Sequence, residues 1–320
     1  MNLRHMKPAG AAIFKDRYTT KAKELLTNWE NGKKGKFGLI GVPFSKPSIS
    51  HSGASFAPGT IREALQSYST YSGEEKRELT DEILDFGDVM MDPTDVIGNH
   101  KRVEESLTDV FSTKAAEHWM VLGGDHSISY GAIKAFTQNR TAGIIQFDAH
   151  HDLRNTEDGG PTNGTPFRRL LEERVIKGEH LVQIGIRDFT NAPAYDDYAK
   201  QHGVTVYTMK DTEEMGLTDI LEKEIIRLSE LTDCVYVSVD MDVLDQAFAP
   251  GCPAIGPGGM DSKTLLDGIL FAAGREKVQA MDIVEIDPTI DFRNMTSRVA
   301  AYVMLQFMKG KKTLQMERRT

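Results

Sequence analysis

The feature that most constrains the fold of this chain is a regular alternation of short apolar runs with longer amphipathic segments. The apolar runs are rich in β-branched residues and end near Gly or Asp, which is typical of strands buried on both faces of a sheet. They are FGLIGV (37–42), ILDFGDVM (83–90), HWMVLGG (118–124), GIIQFD (143–148), HLVQIGI (180–186), VTVYTM (204–209), CVYVSVD (234–240) and VQAMDIVEI (278–286).

Helical patterns separate these runs, for example VEESLTDVFS at 103–112 and LTDILEKEIIRLSEL at 217–231. Alternating strands and helices form a mainly parallel sheet with helices on both faces. We therefore predict an α/β fold, a single three-layer α/β/α domain around an open, eight-stranded, mainly parallel sheet. A closed barrel stays the alternative, because eight strands can also close on themselves.

Ionisable side chains are concentrated just after three of the predicted strands, where ligands of open parallel sheets bind. Side chains alternate across extended backbone, so those two residues apart in DAHHD and in DMD project to the same side. A histidine in GGDHS stands at a third strand end. These six residues are called the metal-ligand cluster: His126, Asp148, His150, Asp152, Asp240 and Asp242.

Four carboxylates and two imidazoles in one pocket resist joint ionisation unless cations compensate their charge. Ligation by carboxylates without thiolates favours a hard or borderline ion such as Mn²⁺, and the imidazoles argue against a purely Mg²⁺ or Ca²⁺ site. Six ligands exceed the three or four that one catalytic ion usually takes from protein. The cluster therefore predicts two ions sharing carboxylate and water bridges.

Composition excludes several other classes of function. The chain has 320 residues, a net charge of −9 and no basic tract, which argues against nucleic-acid binding. Its apolar runs are far shorter than the roughly 18–20 residues of a spanning helix, and the N-terminal segment lacks the apolar core of a signal peptide. Cys234 and Cys252 are too few for a disulfide framework. We expect a cytoplasmic protein that binds neither membranes nor nucleic acid.

The motifs GGDHS, DAHHD and SVDMDVLDQAFAPG resemble the three metal-binding signatures of the ureohydrolase family, which includes arginase, agmatinase and formimidoylglutamase. The resemblance extends from about residue 41 to about residue 300. It implies an arginase-like catalytic domain over residues 1–320, with a short N-terminal extension at about 1–35. It also implies two Mn²⁺ ions per subunit and a homo-oligomer, since relatives are commonly trimers or hexamers.

Carried over by motif, the resemblance assigns a role to each residue of the cluster. It makes His126 and Asp152 ligands of the first ion, and His150 and Asp242 ligands of the second, with Asp148 and Asp240 bridging. Glu285 in EIDP stands where the family places a carboxylate that faces the amidine or guanidine group of the substrate.

The loop after DAHHD departs from the arginase and agmatinase pattern. Asn163 replaces a histidine that is thought to shuttle protons in those enzymes, and asparagine cannot titrate. Arg154 replaces a neutral amide, and its planar fork suits a substrate carboxylate. Arg168, just beyond the loop, adds positive charge. His151 is a substitute proton carrier by proximity in sequence, although a packing role is the simpler interpretation.

The segments NTEDGGPTNGTPFRRLL and SKPSISHSGASFAPGTIR resemble the formimidoylglutamase members of the family. They imply hydrolysis of N-formimidoyl-L-glutamate to L-glutamate and formamide by a metal-activated hydroxide, in histidine degradation. We predict Glu285 and Asp152 as catalytic residues, and Arg154, Asn163, Arg168 and Glu285 as substrate contacts. The alternatives are an agmatinase or other guanidino-acid ureohydrolase and, less favoured, a catalytically silent metal-binding regulatory protein.

Overall fold

A computed structural model describes residues 16–50 and 52–317, with side chains described up to residue 312. Residues 1–15 of the predicted N-terminal extension lie outside this range. None of the helices in the described part of the chain is long and apolar enough to cross a membrane.

Nine parallel strands form the central sheet, in the order β1-β5-β2-β6-β11-β10-β7-β8-β9, and a small antiparallel hairpin of β3 and β4 lies outside it. The sheet has two edges, β1 and β9, and is therefore open rather than a closed barrel. The strands are β1 (Leu26–Asn28), β2 (Gly35–Val42), β3 (Tyr71–Ser72), β4 (Arg77–Glu78), β5 (Ile83–Asp88), β6 (Ala116–Gly123), β7 (Ala142–Phe147), β8 (Leu181–Ile186), β9 (Thr205–Thr208), β10 (Cys234–Asp240) and β11 (Val278–Val284).

The predicted three-layer architecture is confirmed, but the predicted count of eight strands is one too low. The additional strand, β1, is three residues long and pairs with β5 at the edge of the sheet. It contains Thr27 and Asn28 and has no apolar run that periodicity could detect. It brings part of the segment predicted as an N-terminal extension into the sheet, and Ala22 and Leu25 just before it are buried.

Nine α-helices in the described residues cover both faces of the sheet. Strand residues alternate between the two hydrophobic cores beneath them: Ile145 packs in one core and Ile144 in the other. The helices are α1 (Ala57–Ala64), α2 (Val96–Ser112), α3 (Ile128–Phe136), α4 (Pro166–Glu172), α5 (Pro193–His202), α6 (Met209–Met215), α7 (Leu217–Leu231), α8 (Ser262–Ala273) and α9 (Met295–Glu317).

The fully buried strands β10, β7 and β8 are consecutive in the sheet, beginning next to β11 at its centre. Every residue of β7 and of β10 is buried, as their nearly continuous apolar sequences predict. The four central neighbours are β6, β11, β10 and β7 in that order. Their carboxyl ends meet at one edge of the sheet and form a rigid platform for the residues that follow them.

Candidate metal centre and active site

The metal-ligand cluster assembles at the carboxyl ends of the central strands, as the sequence predicted. His126 follows β6, Asp148 follows β7, and Asp240 is the last residue of β10. Glu285 follows β11, which lies between β6 and β10. Because these strands are neighbours in the sheet, their ends bring together side chains that are far apart in sequence.

His126 is surrounded by three carboxylates of the cluster. Its Nδ1 lies 3.1 Å from Oδ2 of Asp148, 2.9 Å from Oδ2 of Asp152 and 3.1 Å from Oδ2 of Asp240. Despite these short distances, Nδ1 is buried and makes no hydrogen bond of acceptable geometry. Three of these groups, His126, Asp148 and Asp240, each place a ligand atom within 4.8 Å of the other two, an arrangement that could hold a cation.

A second group forms around His150. Its Nδ1 lies 2.9 Å from Oδ2 of Asp242 and 3.5 Å from Oδ1 of Asp148. His126, Asp148 and Asp240 form one set of groups that could hold a metal ion, and Asp148, His150 and Asp242 form another. Asp148 belongs to both sets, which is the position of a bridging carboxylate.

In the absence of a cation, the electrostatics of the cluster favour protonation: the pKa values of both imidazoles and of two carboxyl groups, Asp152 and Asp240, are raised. Burial and the charges of Asp242 and Asp148 hold the pKa of Asp240 well above its ordinary value. Burial and the charge of Asp148 also raise the pKa of Asp152 to about 6. For His150, burial lowers the pKa, but the charges and hydrogen bonds of Asp242 and Asp148 together outweigh burial and raise the pKa to about 12.

These observations together test whether the cluster fits divalent cations. An imidazole nitrogen without a hydrogen bond, convergent carboxylates and the raised pKa values of Asp152 and Asp240 all describe a concentration of negative charge that divalent cations compensate. The residues present therefore fit two ions that share Asp148.

Hydrogen bonds behind the cluster fix the orientation of its ligands. His126 Nε2 lies 2.9 Å from Ser238 Oγ, and Ser238 in turn donates to Asp282 at 2.7 Å. Tyr236 donates to the other oxygen of Asp282 at 3.0 Å. On the other side, Gln146 donates to Asp148 at 2.6 Å. Partners of this kind hold a ligating imidazole in one orientation and tautomer.

Glu285 occupies a strained position beside the cluster. Its φ of 60° lies in the left-handed region, as does the φ of 51° at Asp152, a conformation that costs roughly 1–3 kcal/mol for a residue with a side chain. Glu285 Oε1 accepts hydrogen bonds from the main-chain N–H of His126 at 2.8 Å and from Asn163 Nδ2 at 3.0 Å. Burial and the neighbouring Asp125 carboxylate raise the pKa of Glu285 to about 8.

Gly124 allows the backbone beside Glu285 to pack closely against the backbone of Phe44. Gly124, in GGDHS, accepts a hydrogen bond from the N–H of Glu285 at 3.0 Å. A Cβ at Gly124 would lie 1.9 Å from the carbonyl oxygen of Phe44. Only glycine fits here, and its carbonyl group helps to hold the strained Glu285.

The cluster lies at the bottom of a narrow cleft of about 100 Å³. His150, Asp152, Asp240, Asp242 and Glu285 line its floor. The walls and mouth are lined by Ile49, Ser50, Arg154, Asn163, Gly164, Thr190, Asn191, Tyr195 and Ala254.

Three of the predicted substrate contacts, Arg154, Asn163 and Glu285, are thus brought to one cleft. Arg168 is not among the residues lining it. Its guanidinium pairs with Glu172 and stacks on Tyr198, with 3.6 Å from Cζ to the ring centroid. The geometry gives no support to a substrate contact at Arg168.

His151 is also turned away from the cleft. It is buried, and its Nδ1 lies 2.7 Å from Oε1 of Gln183. Gln183 also donates to Gln146, the residue that contacts Asp148. This arrangement matches a packing role for His151 rather than the alternative of proton transfer.

Some residues of the site were not predicted from the sequence. One of them lies in a pattern that could have indicated it, and the others lie in no recognisable pattern. Ser238 stands two positions before Asp240 on the same strand, so the alternation of side chains was a signal that could have found it. Asp282 pairs in register with Ser238 across β10 and β11, which no local pattern reveals. Tyr195, Thr190 and Asn191 reach the cleft from the segment after β8 and carry no recognisable motif.

The fold and the paired ligand sets define an arginase-like hydrolase. The model of the Arginase family matches residues 35–309. The formimidoylglutamase of Halalkalibacterium halodurans is 58% identical over 302 residues, covering 94% of this chain and 95% of the relative. The crystal structure of formimidoylglutamase from Bacillus subtilis has a TM-score of 0.92 at 50% identity and covers 96% of each chain.

A crystal structure of Trypanosoma cruzi formiminoglutamase with Mn²⁺ has a TM-score of 0.83 at 23% identity, covering 92% of this chain and 99% of that one, and shares the fold. The chain belongs to the arginase family. The identification of the sequence as a ureohydrolase is confirmed, and the chain is a hydrolase of that family.

Proposed function

We propose that the chain hydrolyses N-formimidoyl-L-glutamate to L-glutamate and formamide, as a step of histidine degradation. The observation that carries the proposal is a cleft with two metal-ligand sets on its floor and the guanidinium of Arg154 at its mouth. The 58% and 50% identities to formimidoylglutamases of two bacteria support the same substrate.

The six residues of the metal-ligand cluster would hold two Mn²⁺ ions, an ion suited to mixed carboxylate and imidazole ligands. When bound, two such ions supply a water of lowered pKa as nucleophile. The shared position of Asp148 in both ligand sets supports its role as a bridge. The burial of His126 and Asp148, which are 1% and 0% exposed, keeps bulk water away from the ligands.

Glu285 would hold the formimidoyl group. Its Oε1 is already occupied by His126 and Asn163, whereas Oε2 is buried and has no hydrogen-bond partner. An amidine N–H donated to Oε2 would satisfy it. Leaving a buried acceptor unsatisfied costs about 1–3 kcal/mol, so this contact favours a substrate with N–H donors at the reacting carbon.

Asn163 would position Glu285 rather than transfer a proton. Its amide donates to Glu285, and its carbonyl oxygen accepts from the N–H of Ile49 at 3.1 Å. Because an amide cannot titrate, we assign transfer of a proton to the leaving glutamate nitrogen to Asp152, which lines the cleft.

Arg154 would bind a carboxylate of the substrate. An arginine matches a carboxylate with two parallel hydrogen bonds. Agmatine carries no carboxylate, and the end opposite its reacting guanidine is a cationic ammonium group, so a guanidinium at the cleft mouth disfavours it. Arg154 thus favours formimidoylglutamate over agmatine as the substrate.

Incubation of the Mn²⁺-loaded protein with formimidoylglutamate should release formamide and glutamate in equal amounts, and incubation with agmatine should release no urea. Urea release from agmatine or a guanidino acid, without formamide, would identify another ureohydrolase. Bound manganese with neither product would identify a catalytically silent metal-binding protein.

We also propose that residues 1–320 form one catalytic domain with an extension at about 1–35, and that the protein works in the cytoplasm. The start of the family match at residue 35 supports the boundary, whereas β1 (Leu26–Asn28) places part of the extension within the sheet. Cys234 and Cys252 are buried and unpaired, which agrees with a reducing compartment. A trimeric or hexameric assembly stays a prediction.

A further inference from the structure

We propose that Gly164 and Tyr195 position Arg154 at the cleft mouth and thereby set the preference of the enzyme for a substrate with a carboxylate. The inference rests on the proposed function, because it concerns how that substrate is selected. Gly164 and Tyr195 act on Arg154 and not on the reacting atoms.

Gly164 provides the surface along which the Arg154 side chain lies. The N–H of Arg154 donates to the carbonyl oxygen of Gly164 at 2.9 Å. A Cβ at Gly164 would lie 2.6 Å from Cδ of Arg154 and 3.1 Å from its Nε. The backbone of Gly164 is outside the left-handed region, so an alanine there causes no backbone strain, and the three atoms nearest to its Cβ all belong to the Arg154 side chain.

Tyr195 holds the charged end of the same side chain. Cζ of Arg154 lies 5.6 Å from the centroid of the Tyr195 ring, within the range of a cation–π contact. The Tyr195 hydroxyl lies 3.5 Å from Nη1. The ring itself is half-buried and packs against one of the hydrophobic cores from helix α5.

The charge of Arg154 is left for a ligand. Among the described residues, no carboxylate lies within ion-pair distance of its guanidinium, and the contacts it makes are those with Tyr195. Arg168 and Arg169 differ, since they pair with Glu172 and Glu173. An exposed arginine that is free to move loses much side-chain entropy when it binds a ligand. The contacts of Arg154 with Gly164 and Tyr195 restrict the side chain before binding and therefore favour binding.

The test is a double-mutant cycle of wild type, Gly164→Ala, Arg154→Ala and the double variant, with KM and kcat measured on formimidoylglutamate. Gly164→Ala should raise KM about tenfold while kcat changes less than about twofold, because Arg154 binds the substrate carboxylate equally in the ground and transition states. In the Arg154→Ala background, Gly164→Ala should have no further effect. An N-alkylformamidine without a carboxylate should be hydrolysed equally by wild type and Gly164→Ala.

Gly159→Ala is the matched control, since it lies in the same loop and a Cβ there meets no atom within 4 Å. Its KM should equal that of wild type. Tyr195→Leu gives a second measurement that does not depend on the loop, and it too should raise KM selectively for the carboxylate substrate.

An unchanged KM in Gly164→Ala would overturn the positioning role, and so would an equal rise in the Arg154→Ala background. A fall in kcat with loss of manganese would overturn it as well, because the loop would then act on the metal-ligand cluster. Failure of the wild type to release formamide is a different result, and it overturns the proposed function itself.

Discussion

The floor and the mouth of the cleft are built in contrasting ways. The metal-ligand cluster at the floor includes His126 and Asp148, which follow central strands, are almost fully buried and are held by further hydrogen bonds to Ser238 and Gln146. At the mouth, Arg154 is exposed, lies in the loop between β7 and α4, and is held by Gly164 and Tyr195.

This contrast separates two tasks of the enzyme. Ligands on strand ends keep their geometry because the whole sheet supports them, and the reaction type depends on that geometry. A loop tolerates exchange of a single side chain with little cost to the fold, and substrate choice can change there. Variants at the floor should therefore affect metal and turnover, whereas variants at the mouth should affect substrate affinity.

The largest effect is expected for Asp240→Ala on the floor. Loss of this carboxylate should lower activity by at least about a thousandfold and remove bound manganese at the same time. The rise in melting temperature that Mn²⁺ gives the wild type should disappear too, since a ligand stabilises only the state that binds it. Full activity with unchanged manganese content would refute the assignment of the cluster.

A large pH effect is expected for protein stripped of metal by a chelator. Burial raises the pKa of Glu285 to about 8, of Asp125 to about 7 and of Asp152 to about 6. The native state then binds more protons than the unfolded state, so stability should fall as pH rises from about 4 to 8. Denaturant titrations across this range measure it, and stability that instead rises steadily would contradict it.

A smaller effect is expected for Ser238, which contacts a residue of the metal-ligand cluster, His126. Ser238→Ala removes the group beside His126 Nε2 and should weaken manganese binding by about 10–100-fold, with activity restored at high Mn²⁺. Tyr236→Phe is the control, since it removes a bond to the same Asp282 without contacting His126, and it should weaken binding less. Equal effects of the two variants would show that Ser238 and Tyr236 both act through Asp282, and that the contact of Ser238 with His126 does not contribute.

The same contrast between floor and mouth decides what the sequence could predict. All eight apolar runs form strands, because parallel strands buried on both faces need continuous apolar sequence. The D-x-H-x-D and D-x-D spacings place ligands on one side of an extended chain, so the metal-ligand cluster could be derived residue by residue. The strand β1 was not predicted, because its three residues are too few to show a periodicity.

The mouth could be predicted less well, because its contacts join segments distant in sequence. Tyr195 reaches Arg154 across 41 positions, and no local pattern indicates that contact. Arg168 was assigned from its charge and its closeness to the loop. Its spacing of four from Glu172 on a helix was an available sign that it forms an ion pair there.

The smallest effect is therefore expected at Arg168, which makes it the comparison for Arg154. Both are arginines near the same loop, but only Arg154 lines the cleft. Arg154→Ala should raise KM for formimidoylglutamate about tenfold or more with little change in kcat, as expected when a charged hydrogen bond to the substrate is removed. Arg168→Ala should change KM less than about twofold, because Glu172 and Tyr198 already occupy its guanidinium. Steady-state kinetics of the two variants side by side measure the difference. A rise in KM for Arg168→Ala equal to that for Arg154→Ala would mean that positive charge near the loop, rather than a positioned guanidinium at the mouth, selects the substrate.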